Sequence, residues 1–199
     1  MNYLAHALLA GEDPNFLLGN IAADLFKGNA HRMLPESVSL GVLHHRELDR
    51  FTDSHPSFLR CLPALYPRHG KYAAVVLDVL FDHLLSRHFG RFCPYGLEPF
   101  GHSTHARLST VTFLLPEGVR QTLDAMIAGN WLLQYGHPQG LSYCFRRLAR
   151  RAAVPEKLTD WAATLEEHGN LLEESFLHLF PEVYAYSREL LSLQSEGKW

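Results

Sequence analysis

Residues Val75–Phe89 read VVLDVLFDHLLSRHF. The run is apolar at most positions, as a helix buried on nearly every side would be. Asp78, Asp82 and His83 interrupt it. An ionised carboxylate inside a core is costly unless a cation or several donors compensate it. The stretch therefore sets the fold class and also raises the question of what two acids and an imidazole do inside a helical core.

The same three- and four-residue apolar spacing recurs almost everywhere outward from this stretch, and strict alternation is nearly absent. The pattern predicts helices over 2–10, 14–27, 36–53, 56–66, 71–89, 97–114, 117–135, 141–153 and 156–193. Pro14 and Pro35 sit where first turns begin, and Gly28 and Gly90 follow helix ends. Pro155 opens the last long helix, and Pro181 is expected to kink or split it. The expected architecture is all-α, a single compact domain over residues 1–199 with about eight or nine helices. With 47% hydrophobic and 20% charged residues, the chain can form a substantial core.

A formal charge of −3 argues against a protein that coats nucleic acid. Cys61, Cys93 and Cys144 form no Cys-x-x-Cys pair, and three thiols cannot all pair within the chain, which fits a reducing cytoplasm. No apolar run is long enough for a transmembrane helix. The opening MNYLAHALLAGEDPN has no basic n-region and is read as neither a signal peptide nor a membrane anchor, because Asn2 and His6 break its apolar face and no cation precedes Lys27.

Positions i and i+4 of a helix lie about 40° apart on one face. Four helices carry polar pairs at that interval: Asn2 with His6, Asn20 with Asp24, His45 with Asp49, and Asp78 with Asp82. Asp53 lies one turn beyond Asp49. Carboxylates converging from several helices raise one another's pKa values, and a divalent cation at their centre removes the conflict. Aspartates with one or two imidazoles and no thiolate favour Mn²⁺, Mg²⁺ or Fe²⁺ over structural zinc. Plainer readings compete. His6 alone is a candidate core histidine, Asp49 and Asp53 can pair with Arg46 or Arg50, and Asp53 can cap the helix opening at Pro56. His44 and Glu47 are assigned to the solvated side of their helix, and His102 and His105 to the surface. Asp78 and Asp82 are hardest to explain without a cation.

Lys27, Arg46 and Arg87 lie near these acids in sequence, and cations beside an acid-rich metal centre suggest an anionic substrate, typically a phosphate. No Gly-rich phosphate loop and no Gly-x-Ser-x-Gly elbow is present. In CFRRLARRAAV, Arg146, Arg147, Arg150 and Arg151 make a positive stripe, either a solvated face or a docking patch for an acidic partner.

In order and spacing, MNYLAHALLA, LLGNIAADLFKG, LGVLHHRELDRFTDSHP and LDVLFDHLLSRHF resemble the acyl carrier protein phosphodiesterases, a divergent helical branch related to HD-domain phosphohydrolases. NWLLQYGHPQGL and FLHLFPEVYAY extend the likeness over nearly the whole chain. The resemblance implies a Mn²⁺- or Mg²⁺-dependent hydrolase that frees 4′-phosphopantetheine from a serine of acyl carrier protein. It carries over His6, Asp24, His45, Asp49, Asp78, Asp82 and His83 as motif residues, with Lys27 and Arg46 nearby. Asp24, His45, Asp78 and Asp82 are then the expected main ligands, with His6 and Asp49 as further candidates. Lys27 and Arg46 would offset phosphoryl charge, His83 would transfer a proton, and the arginine stripe would hold the acidic carrier. One departure is that the doublet reads Asp82-His83 where HD hydrolases have His-Asp. The rivals are an HD-type phosphohydrolase acting on nucleotides or another small phosphodiester, and a non-catalytic helical adaptor.

Overall fold

Two glycines decide how the first helices pack. In the computed structural model, which describes residues 1–196 and 198, helix α2 (Pro14–Ala22) lies against α3 (Glu36–Ser54) along much of its length. A Cβ on Gly19 would sit 1.9 Å from the Val38 carbonyl oxygen, and one on Gly41 would sit 2.0 Å from that of Phe16. Only hydrogen at both positions lets the two backbones touch. Asp13 starts α2 by accepting from the Asn15 N–H, with Pro14 at the first helical position.

Ahead of them, α1 (Tyr3–Leu9) buries Leu4, Ala5, His6, Ala7 and Leu9. Past them come α4 (Pro56–His69) and α5 (Ala73–Arg87). The fifth helix is buried as its sequence predicts: ten of its fifteen residues are inside, and it packs on α1, on α4, and on the later α9 (Pro138–Ala149) and α10 (Trp161–Ser195). Between these lie α6 (Leu97–Ser109), α7 (Glu117–Ala128) and the single turn α8 (Trp131–Gln134).

The last helix closes the core. Leu172, Phe176, Leu179, Phe180, Val183, Ser187 and Leu190 form its buried stripe at three- and four-residue spacing. Phe58, Phe81, Phe176, Phe180 and Phe92 then run as a ladder of ring contacts with centroids 4.7–6.0 Å apart. Pro181 neither ends nor splits this helix. It is exposed, as are Pro63 and Pro67 inside α4, so on this face water can satisfy the carbonyl that each ring leaves unpaired.

The expected helix at 14–27 ends at Ala22 and tightens into a 3₁₀ turn, Ala23–Leu25. That at 117–135 is two pieces, broken where Asn130 takes a left-handed conformation with φ 47°. Against the eight or nine helices expected, ten α-helical segments and no strand are found among the described residues, so the class is all-α. No described helix is long and apolar enough to cross a membrane.

Candidate metal centre

The α2–α3 contact brings His45 against the end of α2, and α1 lays His6 over it. The two imidazoles stack with centroids 3.8 Å apart and planes 18° from parallel. Ring nitrogens of His6 and His45 and a carboxylate oxygen of Asp49 all lie within 4.8 Å of one another. Asp49 Oδ1 is 3.1 Å from His6 Nε2, and its Oδ2 is 3.0 Å from His45 Nε2. Asp24, largely exposed on the 3₁₀ turn, reaches within 3.3 Å of the same His45 nitrogen. Two helices and a turn thus aim two nitrogens and two carboxylates at one point.

Both rings are oriented by Asn20. His45 Nδ1–H donates to the Asn20 backbone carbonyl at 2.8 Å, leaving Nε2 as the nitrogen that faces the acids. His6 Nδ1 lies 3.0 Å from Asn20 Oδ1, which can only accept, so His6 also turns an unprotonated Nε2 toward the cluster when neutral. Behind Asn20 the chain continues inward. The Asn20 amide donates to His44 Nδ1 at 2.6 Å, His44 Nε2–H donates to Ser187 Oγ at 3.1 Å, and the Ser187 hydroxyl donates to the Leu9 carbonyl at 2.9 Å. A carbonyl at the end of the chain fixes the direction of every bond before it. Oriented this way, each imidazole has the form that a metal-binding histidine takes when its other nitrogen is hydrogen-bonded.

Electrostatics suit the same use. Burial pulls His45 down, but Asp24 and Asp49 outweigh it and raise the imidazole to about 9. Burial, with His45 as neighbour, lowers His6 to about 4. Burial pushes Asp49 up, yet His45, His6 and the Met1 ammonium hold it well below the usual carboxylate range. Contact with His45 likewise lowers Asp24. His45 Nε2 is fully enclosed and makes no hydrogen bond of good geometry, although two carboxylates flank it. A proton or a cation suits that position, and nitrogen and oxygen donors without sulfur are of the kind that Mn²⁺, Mg²⁺ or Fe²⁺ accepts.

Other residues singled out in the sequence lie elsewhere. Asp82 is completely buried and its oxygens accept from the backbone N–H groups of Leu4 at 2.7 Å, Ala5 at 3.3 Å and Asn2 at 3.4 Å. It caps α1 from a distant helix, where unpaired N–H groups and the helix dipole welcome an acid. Burial nonetheless raises it to about 7. Asp78 pairs with the Met1 ammonium at 2.7 Å, which also lies 3.6 Å from Asp49. The sequence reading of Asp78 and Asp82 as ligands is therefore revised: donors do compensate them, but these are an ammonium and backbone amides. His83 donates Nδ1–H to the Tyr135 carbonyl at 2.7 Å, near Ser86, and is not among the residues gathered at the cluster.

Lys27 is exposed, one turn past Asp24. Arg46 donates to the Gly28 carbonyl at 3.0 Å and so ties down the segment that carries both. Arg87 lies out by Glu173, 3.9 Å away. The cap of α4 is His55, accepting from the Ser57 N–H, and not Asp53.

Two residues were misplaced by sequence reasoning. His44 is fully buried, not solvated, and His105 is buried too. The signal for His44 existed: Gly41, His44, His45, Leu48 and Thr52 form one buried helical stripe, hidden because glycine, histidine and threonine do not read as apolar. Ser187 and the Met1 ammonium carried no local signal, since their partners lie far along the chain.

Comparison with known proteins gives the family. Residues 1–183 match the family described as acyl carrier protein phosphodiesterase. Proteins of that name from Salmonella paratyphi A, Salmonella agona and Salmonella newport are each 31% identical over 186 residues, covering 93% of this chain and 96% of the relative. No solved structure gives a significant match.

Proposed function

Since the chain belongs to the acyl carrier protein phosphodiesterase family, we propose that it hydrolyses the phosphodiester joining 4′-phosphopantetheine to a serine of holo-acyl carrier protein, using a divalent cation at the His6–His45 cluster. Water adds to phosphorus, the serine oxygen leaves and takes up a proton, and the phosphate stays with the pantetheine. The observation that carries the metal reading is the pair of stacked imidazoles whose Nδ1 atoms are both committed to Asn20, so that both Nε2 atoms point at Asp49.

His6, His45 and Asp49 would hold the cation, and Asp24 would complete the set from the open side. When bound, Mn²⁺ or Mg²⁺ supplies Lewis acidity and makes a water more acidic. The chain's own residues do the rest. Asn20 holds both rings in register. Lys27, free to swing at the exposed edge, offsets charge on the nonbridging oxygens. Arg46 acts on that edge indirectly, through the Gly28 carbonyl. His83 is given no part in proton transfer, because it does not join the group formed by His6, His45 and Asp49.

The acidic carrier would be steered by Arg146, exposed on α9, and by Arg150 just after it. Three buried free cysteines are consistent with a cytoplasmic site of action. The test is the mass of holo-acyl carrier protein before and after incubation with protein and Mn²⁺. Loss of the prosthetic arm's mass, abolished by EDTA, is expected. An unchanged carrier, or consumption of a nucleotide panel in its place, would overturn the reading.

A further inference from the structure

A groove of about 270 Å³ opens beside the cluster, between the start of α1 and α9. Tyr3, Leu25, Thr122, Trp131, Arg147 and Arg151 are among the residues that line it. Two of them are tied to the metal centre by the chain itself: Tyr3 is one helical turn before His6, and Leu25 follows Asp24. Burial and then the charge of Asp24 push the Tyr3 hydroxyl up to about 12, against the pull of Arg151 and Arg147.

The aromatic and cationic side chains of the lining brace one another. The Arg147 guanidinium stacks 4.4 Å from the Trp131 ring centroid, Trp131 Nε1–H donates to Cys144 Sγ at 3.3 Å, and the Tyr3 and Trp131 rings are 5.1 Å apart. No carboxylate is among the described residues that line the groove.

We propose that this groove is the subsite for the pantetheine arm, the slender neutral chain that leads away from the phosphate being cleaved. The inference rests on the phosphodiesterase reading above. A cavity of this volume cannot hold a folded carrier domain. The groove lies just below the roughly 300–1,000 Å³ of pockets for drug-sized ligands, which suits a narrow chain. Chemistry agrees. Aromatic faces and Leu25 suit the arm's methyl and methylene groups, while guanidinium N–H groups can donate to its two amide carbonyls.

The test compares wild type with Thr122→Trp, which fills the groove from α7, and with Arg151→Ala, an exposed change that leaves packing intact. Turnover of holo-carrier with Mn²⁺ is measured with and without free pantetheine, and pantetheine binding is followed separately by calorimetry. Expected are binding and competitive inhibition in wild type. Both variants should show KM raised about tenfold with kcat held within about twofold, and Thr122→Trp should lose pantetheine binding. The proposal is overturned if pantetheine fails to bind wild type, or if both variants keep wild-type KM and inhibition. A rise in KM for Arg151→Ala alone, without pantetheine binding, overturns it in favour of a carrier contact. Pantetheine binding without any holo-carrier turnover would instead sink the phosphodiesterase reading and leave the groove standing.

Discussion

At the scale of single residues, two aspartates that look alike in sequence do opposite work. Asp49 faces two imidazoles, and Asp82 faces three backbone amides. Asp82→Ala should lower unfolding free energy by about 3 kcal/mol, since each buried donor left unpaired costs roughly 1–3 kcal/mol. Urea titration checks this, and the folded fraction should still bind Mn²⁺. Asp49→Ala should reverse the pattern, unfolding near the wild-type midpoint but losing Mn²⁺ binding and turnover. His44→Phe, two bonds behind the cluster, should weaken Mn²⁺ binding by about 10–100-fold through loss of ring orientation. Electron paramagnetic resonance of free Mn²⁺ reads this directly.

The raised pKa of His45 fixes the sign of the pH dependence. In the metal-free protein a proton sits on His45 until pH reaches about 9, so the proton and the cation compete for Nε2. Mn²⁺ affinity should therefore climb from pH 6.5 to 8.5, by up to about tenfold per unit for one proton displaced. A flat profile would mean that His45 does not ligate. Candidate residues were legible here because i, i+4 pairs survive as sequence spacing. The sorting of ligand from cap was not, because the Leu4 and Ala5 amides carry no side-chain signature.

At the scale of elements, apolar periodicity placed the helices because the buried faces are wide and the breaks carry glycine, proline or asparagine. It failed where exposure decides. Pro181 and the two prolines inside α4 are tolerated on solvated faces, which spacing alone does not reveal. The close contact of α2 with α3 was equally hidden, although everything at the centre depends on it. Gly41→Ala puts a methyl 2.0 Å from the Phe16 oxygen and 2.9 Å from the Asn20 nitrogen. The helices must separate, at a cost of about 1–3 kcal/mol, and the Asn20 carbonyl moves from His45. Chemical denaturation should report the lower stability, and Mn²⁺ affinity should fall with it.

Across the whole molecule, distant segments meet at one point: α1 brings His6, α2 brings Asn20, the 3₁₀ turn after it brings Asp24, α3 brings His45 and Asp49, and α10 closes the back through Ser187. The family likeness was legible from ordered motifs, and the all-α class from periodicity. The convergence itself required the fold, since Ser187 lies 143 residues from His44. The most direct measurement is anomalous scattering from a crystal grown with Mn²⁺. A single strong peak bounded by His6 Nε2, His45 Nε2 and an Asp49 oxygen is the expected result. A peak beside Asp78 and Asp82, or none at the stacked imidazoles, would contradict it.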